Sequence, residues 1–440
     1  MDFSAHFTYG KLLRYAASPI IMMIFTSIYS VVDGLFLSNF AGKEAFAAVN
    51  FIMPYLMMYT CAGFMFGNGG SALIAKTLGE KRDKAANEIF SSLVLVSALT
   101  GVVLALVGSL FLRPVALMLG AEGELLEKSV LYGRIYLLGV PACLIQFEFQ
   151  NLYATAGKTE LGLRATVAAG MMNIILDALF VGLFSWGLVG AAVATILSQW
   201  VGGIIPIIYF GRKNSSLLRF VRCRPNWGAM LKICSNGSSE MVSNISISIV
   251  NLLYNVQLLN YAGDDGIAAF GIMMYVNFLF NAIFWGYVTA VSPVFSYHYG
   301  AENHQELHSL FKKSVVVIGG FSILMFMTSE LLSKPISNIF VGYDADLLNL
   351  TIHGFFLFSF SFLFAGFSIF VSSFFTALNN GLISAVLSFS RVFLFQIPAL
   401  LLLPIVWKLD GIWISVAVAE CFTVALGIVF LIKYQKKYQY

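Results

Sequence analysis

Long apolar segments separated by short polar ones occupy nearly the whole chain. With breaks placed at polar, glycine-rich and proline-rich positions, the pattern predicts twelve helices, near residues 12–39, 46–76, 87–111, 126–156, 161–184, 187–211, 233–261, 266–297, 311–332, 347–378, 381–405 and 411–433. Each is long enough to cross a hydrocarbon layer about 30 Å thick. The first segment is too long for a cleavable signal and contains Asp33, so we interpret it as a retained helix. The pattern therefore predicts an all-α integral membrane protein.

The two halves of the sequence resemble each other. When the chain is aligned with itself at an offset of 221 residues, residues 39–42 match residues 260–263 and Gly79 matches Gly300. We predict an amino-terminal lobe over residues 1–211, a linker over 212–232 and a carboxy-terminal lobe over 233–440. Because each lobe has an even number of spans, the lobes are parallel and pseudo-symmetric. Such halves commonly rock about a central cavity, which favours alternating access.

Composition supports a membrane environment, and the distribution of charge predicts the orientation. The chain is 59% hydrophobic and 11% charged, with a mean hydropathy of +0.84, whereas soluble proteins carry about 25% charged residues. With a cytoplasmic amino terminus, 19 Lys and Arg residues lie inside and five lie outside, the latter being Lys43, Arg113, Lys128, Lys334 and Lys408. The positive-inside rule therefore predicts a multi-pass protein of the cell membrane, the inner one where there are two, with both termini in the cytoplasm.

Several classes of function find no support in the sequence. The net charge of +4 is scattered over short loops, so we expect no nucleic-acid partner. The five cysteines form no CxxC pair, and the His304–His308 segment has Gln305 where a zinc protease needs glutamate, so we expect no metal site. A phosphate-binding loop is missing too. We therefore expect no enzyme and no cofactor, and an ion gradient as the energy source.

Ionisable side chains inside membrane helices are costly, at least about 2.5 kcal/mol at the bilayer centre, so each one suggests a function. Asp33 in the first span and Asp177 in the fifth are the clearest cases. Asn173 lies four residues before Asp177 on the same helix face, and Thr195 in the sixth span adds a hydroxyl. These groups predict a cation site in the amino-terminal lobe. The alternative is that they only cap helices or join them by hydrogen bonds.

Other polar positions in the spans have weaker functional readings. Gln146, Glu148 and Gln150 near the predicted Pro141 kink either line a polar cavity or join helices by hydrogen bonds. Glu240 in the seventh span is a candidate secondary site near the cytoplasmic entrance, where simple solvation competes.

The carboxy-terminal lobe departs from the amino-terminal one in its polar residues. We expect Glu420 to neutralise Arg391 across two helices. Tyr254 stands where the first half has Asp33, and the tenth span contains no carboxylate. The cation site is therefore expected in the amino-terminal lobe alone.

In several short segments of its sequence the chain resembles the multidrug and toxic compound extrusion (MATE) family. The resemblance rests on the Val32-Asp33-Gly34 step, on Pro54, on residues 156–158 (Ala-Gly-Lys), on Asn173 with Asp177, and on Gly187-x2-Gly190-Ala191-Ala192. It covers nearly the whole chain and implies two six-helix lobes.

The same resemblance implies export of cationic amphipathic compounds in exchange for H⁺ or Na⁺. It further implies that Asp33, Asn173, Asp177 and Thr195 form the cation cluster of the DinF-like branch, with Asn151 as a further member from the fourth helix. We expect a monomer in the bilayer. The nearest alternative is a flippase for a lipid or lipid-linked saccharide from a related family.

Overall fold

A computed structural model describes residues 3–342 and 344–440, except for the side chains of Ser38, Lys43, Ser248 and Asp264. Lys43, one of the five charges assigned to the outside, thus lies outside the described side chains. All regular structure in the described ranges is helical. The helices are α1 (Tyr9–Phe36), α2 (Lys43–Gly79), α3 (Asp83–Met118), α4 (Gly123–Leu137), α5 (Val140–Thr155), α6 (Thr159–Asp177), α7 (Gly187–Gly211), α8 (Trp227–Gly300), α9 (His304–Val341), α10 (Ala345–Ser359), α11 (Phe362–Ala377), α12 (Gly381–Phe389) and α13 (Ile397–Tyr438).

These helices account for twelve membrane crossings. Within the described ranges, nine stretches are each long and apolar enough to cross, and the bent pairs α4–α5 and α10–α11 bring the number to eleven. One of the nine, Gly381–Tyr438, has 58 residues, about 87 Å of helix, which exceeds a single crossing. It breaks at Lys408, where φ is 51°. Counting it as two confirms the predicted twelve-helix layout.

Two spans bend near the middle of their length. The fourth bends by 58° between α4 and α5, directly before Pro141, where the sequence predicts a kink. The tenth bends by 43° between α10 and α11 without any proline, and the sequence contains no signal for it. Both bends release backbone groups that a straight helix would satisfy.

Each lobe buries the beginning of the other lobe's first helix. Leu12 at the start of α1 is buried in the apolar core of the carboxy-terminal lobe. Ile233 at the start of α8 is buried in the core of the amino-terminal lobe. The two residues are 221 positions apart, so the exchange follows the internal repeat. The lobes are therefore interlocked on the side of the bundle where both chain termini lie, which we call the terminal side.

The closest approaches between the lobes also lie in this half of the bundle. At Gly79 in α2 a methyl group would overlap the carbonyl of Tyr297 in α8, and at Gly300 it would overlap the carbonyl of Lys76. Gly79 and Gly300 are the residues that the repeat aligns. Only glycine allows the two backbones to come this close.

The segment before α1 adds a polar connection between the lobes. Phe3 and Phe7 are buried in the core of the carboxy-terminal lobe. The Glu306 carboxylate at the start of α9 accepts the Phe7 N–H at 3.0 Å and contacts His6 Nδ1 at 2.6 Å. Lys313 Nζ donates to the Phe7 carbonyl at 2.5 Å. These contacts join the amino terminus to the opposite lobe.

Candidate functional site

The predicted acidic residues of the amino-terminal lobe come together near the side opposite the termini. Asp33 lies in the last turn but one of α1, and Asp177 is the last residue of α6. The Asp33 carboxylate faces the side chains of Asp177 and Asn173 at interaction range. Asp177 and Asn173 are buried, and neither carboxylate oxygen of Asp177 has a hydrogen bond of normal geometry among the described residues. We call Asp33, Asn173 and Asp177 the acidic cluster.

A π-helical turn follows each aspartate. Residues Leu37–Ala41 continue α1 beyond Asp33 in this geometry, and residues Ala178–Leu183 continue α6 directly after Asp177. A π-helical turn widens the helix and shifts its hydrogen-bond register, and such turns are frequent at functional sites. The backbone is therefore irregular at the depth where the two carboxylates meet.

Tyr132 connects the acidic cluster to Thr195. It lies in α4, is almost completely buried, and its hydroxyl is near Asp33, Asp177 and the Thr195 side chain. Thr195 itself donates to the Ala191 carbonyl in α7 at 2.9 Å. Thr195 is thus linked to Asp33 and Asp177 by Tyr132, a residue that the sequence analysis missed. The sequence offered one indication of this role: Tyr132 and Tyr136 place two phenolic hydroxyl groups one helical turn apart within the fourth span.

A second missed residue is Tyr29, which lies near Asp33. It precedes Asp33 by four residues and so shares its helix face, a spacing that was visible in the sequence. Tyr29 and Tyr132 place phenolic oxygens beside the carboxylates. The site therefore contains oxygen atoms of carboxyl, amide and hydroxyl groups.

No basic side chain in the described part of the chain neutralises the acidic cluster. Among the described residues, neither Asp33 nor Asp177 forms an ion pair with lysine, arginine or histidine. Two carboxylates that face each other in a buried setting resist simultaneous ionisation. A proton or a small cation relieves this repulsion, and oxygen ligands are those that hard cations prefer.

The other predicted polar residues of this lobe lie apart from the acidic cluster. Asn151 lies one turn before the end of α5 with its amide against Gly67 of α2, and none of its contacts in the described ranges reaches Asp33 or Asp177. Gln146 packs against Gly202 of α7. Gln150, like Gln146 a residue of α5, is also buried. The structure therefore distributes them along α5.

Glu148 occupies a separate buried position. Its side chain is fully buried and faces Ser97 of α3. Both carboxylate oxygens and the Ser97 hydroxyl lack a hydrogen bond of normal geometry within the described ranges. A buried carboxyl without a cationic partner favours its neutral form.

In the carboxy-terminal lobe two intramembrane charges, Arg391 and Glu420, form an ion pair. Arg391 Nε donates to Glu420 Oε1 at 2.8 Å, and its Nη2 contacts the same oxygen, as the sequence analysis expected. Glu240 is half-buried and accepts from Asn68 Nδ2 of the amino-terminal lobe at 2.9 Å. The Tyr254 hydroxyl lies 2.6 Å from the Ser415 hydroxyl.

Comparison with known proteins identifies the family. The MatE family model matches residues 19–179 and residues 241–402, which is more than half of the chain and one segment in each lobe. The chain belongs to the MATE family. Members of this family are transporters, so the protein is a membrane transporter and not an enzyme.

Curated relatives and solved structures agree with this assignment. The multidrug export protein MepA of Staphylococcus saprophyticus is 24% identical over 431 residues, covering 96% of this chain and 93% of the relative. MepA of Staphylococcus aureus strain N315 is 23% identical, with coverage of 97% and 94%.

Among solved structures, a crystal structure of MATE in complex with MaL6 has a TM-score of 0.92 at 20% identity, covering 97% of this chain and 96% of that one. An outward-facing MATE multidrug resistance transporter of the MOP superfamily has a TM-score of 0.91 at 21% identity, with the same coverage. At this identity, the similarity shows that the fold is shared.

Proposed function

We propose that this chain is a multidrug efflux transporter that exports cationic amphipathic compounds in exchange for H⁺ or Na⁺ by alternating access. The observation that carries the proposal is the acidic cluster, in which Asp33 and Asp177 face each other and form no ion pair with any basic residue that the structure describes. The names of the MepA relatives support drug export as the activity. Thr195 and Tyr132 supply further oxygen ligands beside the aspartates.

The proposed exchange follows from the electrostatics of the acidic cluster. A proton or Na⁺ bound between the carboxylates makes the site less negative and lowers its attraction for a cationic compound. Loss of that ion restores the attraction. Coupling ion and cargo therefore alternate at one site, and each binding event favours release of the other.

We assign the terminal side to the cytoplasm, as the positive-inside rule predicts. The interlocked helix starts and the Gly79–Gly300 contact hold the lobes together on that side. This arrangement supports an outward-facing state. Impermeant thiol labelling of single cysteines between residues 212 and 232 tests the assignment, because labelling from outside intact cells would contradict it.

Dye efflux from proteoliposomes tests the proposed function. The purified protein is reconstituted with a cationic dye such as ethidium, and a pH gradient or a Na⁺ gradient is imposed separately. We expect one gradient to drive dye movement against its concentration, and movement of dye to dissipate that gradient. If neither gradient moves cationic dyes while a fluorescent lipid crosses the bilayer faster than in empty vesicles, the protein is a flippase.

A further inference from the structure

A hydrogen bond between two membrane-embedded side chains joins the lobes beside their closest crossing. Asn68 of α2 donates through Nδ2 to Glu240 Oε1 of α8 at 2.9 Å. The neighbouring residue Gly69 and the residue Gly237, one turn before Glu240, lie where a methyl group would overlap the backbone of the other helix. Asn68 and Glu240 therefore cannot stay bonded if α2 and α8 separate at this point.

Glu240 also has a basic residue in its own lobe that acts on it electrostatically, without an ion pair between the two among the described residues. Arg391, which lies in the π-helical turn Ser390–Gln396 after α12, is close enough to attract Glu240 electrostatically. Arg391 at the same time holds Glu420 of α13 through Nε and Nη2. The second oxygen of Glu420 has no hydrogen-bond partner among the described residues. The guanidinium thus binds the Glu420 carboxylate and also attracts that of Glu240.

These contacts give Glu240 two states with different partners. While the lobes touch on the terminal side, the amide of Asn68 satisfies one carboxylate oxygen. When the lobes part, that donor moves away, and a carboxylate left alone in a low-dielectric region is costly. Arg391 stays in the same lobe and lowers that cost. A Glu240 carboxylate that is tolerated in both arrangements would meet the requirement of a transport cycle for two discrete states.

We propose that Glu240 is a positioning residue for alternating access: its bond to Asn68 holds the lobes closed on the terminal side, and Arg391 supports its charge when they part. This inference rests on the alternating access of the proposed function. It separates Glu240 from the coupling role of the acidic cluster. It also gives the Arg391–Glu420 pair a role beyond neutralisation.

Pulsed electron paramagnetic resonance tests the proposal without substrate or ion gradient. Spin labels are attached to cysteines replacing Lys84 and Gln305, which are exposed and lie at equivalent positions at the starts of α3 and α9. The five native cysteines are replaced by alanine in this background. The distance distribution in nanodiscs reports the ratio of closed to parted lobes on the terminal side.

Removing Asn68 and removing Arg391 should shift the ratio of closed to parted lobes in opposite directions. For Asn68→Ala we expect the parted population to rise about tenfold, because a hydrogen bond to a charged group is lost from the closed state only. For Arg391→Met combined with Glu420→Met we expect the parted population to fall, because Glu240 then lacks its second partner. The paired substitution avoids leaving Glu420 buried alone.

A matched control and a rescue complete the experiment. Asn50 lies in the same helix but bonds to the Phe46 carbonyl of its own helix, so Asn50→Ala should leave the distances unchanged. Asn68→Asp places two carboxylates together and should favour the parted state strongly. Combining it with Glu240→Gln restores a donor and an acceptor, and should return the closed state, which a loss of helix packing would not do.

The outcomes separate this inference from the proposed function. If Asn68→Ala gives the same distances as Asn50→Ala, the bond does not hold the lobes and the inference is wrong. If the Arg391→Met, Glu420→Met variant also favours parting, the role of Arg391 is wrong. If all distances shift as expected but the reconstituted protein moves no cationic dye, the inference stands and the proposed cargo is wrong.

Discussion

The two lobes share a backbone plan but differ in how they treat charge. In the amino-terminal lobe, Asp33 and Asp177 face each other, and no lysine, arginine or histidine within the described part of the chain forms an ion pair with them. In the carboxy-terminal lobe, Tyr254 stands at the position equivalent to Asp33, and its hydroxyl bonds to Ser415. Its ring stacks on Phe270 with centroids 4.8 Å apart. One position of the repeat is thus part of the acidic cluster in one lobe and part of the packed core in the other.

The helical irregularities show the same divergence. A π-helical turn follows Asp177 in the amino-terminal lobe, and another contains Arg391 in the carboxy-terminal lobe. The first lies beside carboxylates without an ion pair among the side chains that the structure describes, whereas the second supplies a guanidinium that binds Glu420. If the proposed coupling site is the acidic cluster, a duplicated fold needs only one lobe to bind the coupling ion. The other lobe is free to carry the contacts that set the conformation.

The strongest test of this division is removal of charge from the acidic cluster. Asp33→Asn and Asp177→Asn keep the size and hydrogen bonding of the side chain but abolish the paired carboxylates. We expect each variant to lose gradient-driven dye efflux down to the level of empty vesicles, because ion and cargo no longer exchange at a charged site. The efflux rate in proteoliposomes is the measurement, with membrane insertion checked by protein yield.

Asp410→Asn is the matched control for these variants. The Asp410 side chain is 55% exposed and pairs with His353 at 2.9 Å, outside the acidic cluster. Its efflux should stay near that of the unaltered protein. If both aspartate variants pump normally while Glu240→Gln is inactive, the coupling site lies in the carboxy-terminal lobe and the comparison is reversed.

The paired charges of the carboxy-terminal lobe predict an effect on stability instead. Arg391→Met leaves Glu420, whose side chain is 6% exposed, as an unpaired buried carboxylate. We expect the free energy of unfolding in detergent to fall by about 3–5 kcal/mol. Arg391→Met combined with Glu420→Met should recover most of this loss, since two apolar side chains fill the space.

The same measurement on Asp177→Asn sharpens the contrast between the lobes. That substitution removes one of two like charges, so the unfolding free energy should stay unchanged or rise. Denaturant titration followed by tryptophan fluorescence measures both lobes in one experiment. A large loss of stability in Asp177→Asn would show that the aspartate has a structural partner, and the functional reading of the cluster would fail.

The sequence was sufficient to predict the fold and to single out Asp33 and Asp177, which the structure brings together, for a physical reason. Their role as a cation site stays a prediction. Apolar length reports membrane crossings directly, and a carboxylate inside a span is rare enough to attract attention. Tyr132 escaped because the chain has 19 tyrosines and helix spacing relates residues of one span only. Its proximity to Asp177 depends on how α4 packs against other helices.

The interlocking of the lobes was not predictable for a related reason. In a membrane, lipid-facing and core-facing positions are both apolar, so hydrophobic periodicity does not indicate which face packs on which lobe. Leu12 and Ile233 look like ordinary span residues in the sequence. Only the structure brings each of them into the core of the opposite lobe.

The smallest expected effect concerns two tyrosine hydroxyl groups. One belongs to Tyr132, beside Asp33, and the other to Tyr254, which occupies the position equivalent to Asp33 in the second lobe. Tyr132→Phe removes a phenolic oxygen beside Asp33, Asp177 and Thr195 but keeps the ring. A single hydrogen bond contributes about 0.5–1.5 kcal/mol, so the concentration of coupling ion needed for half-maximal efflux should rise by up to about tenfold. Tyr254→Phe loses the bond to Ser415 at a comparable cost in stability, while the ion concentration should not change. Equal shifts in both variants would mean that the two lobes contribute alike to ion binding, because a purely structural hydroxyl cannot alter the ion dependence of transport.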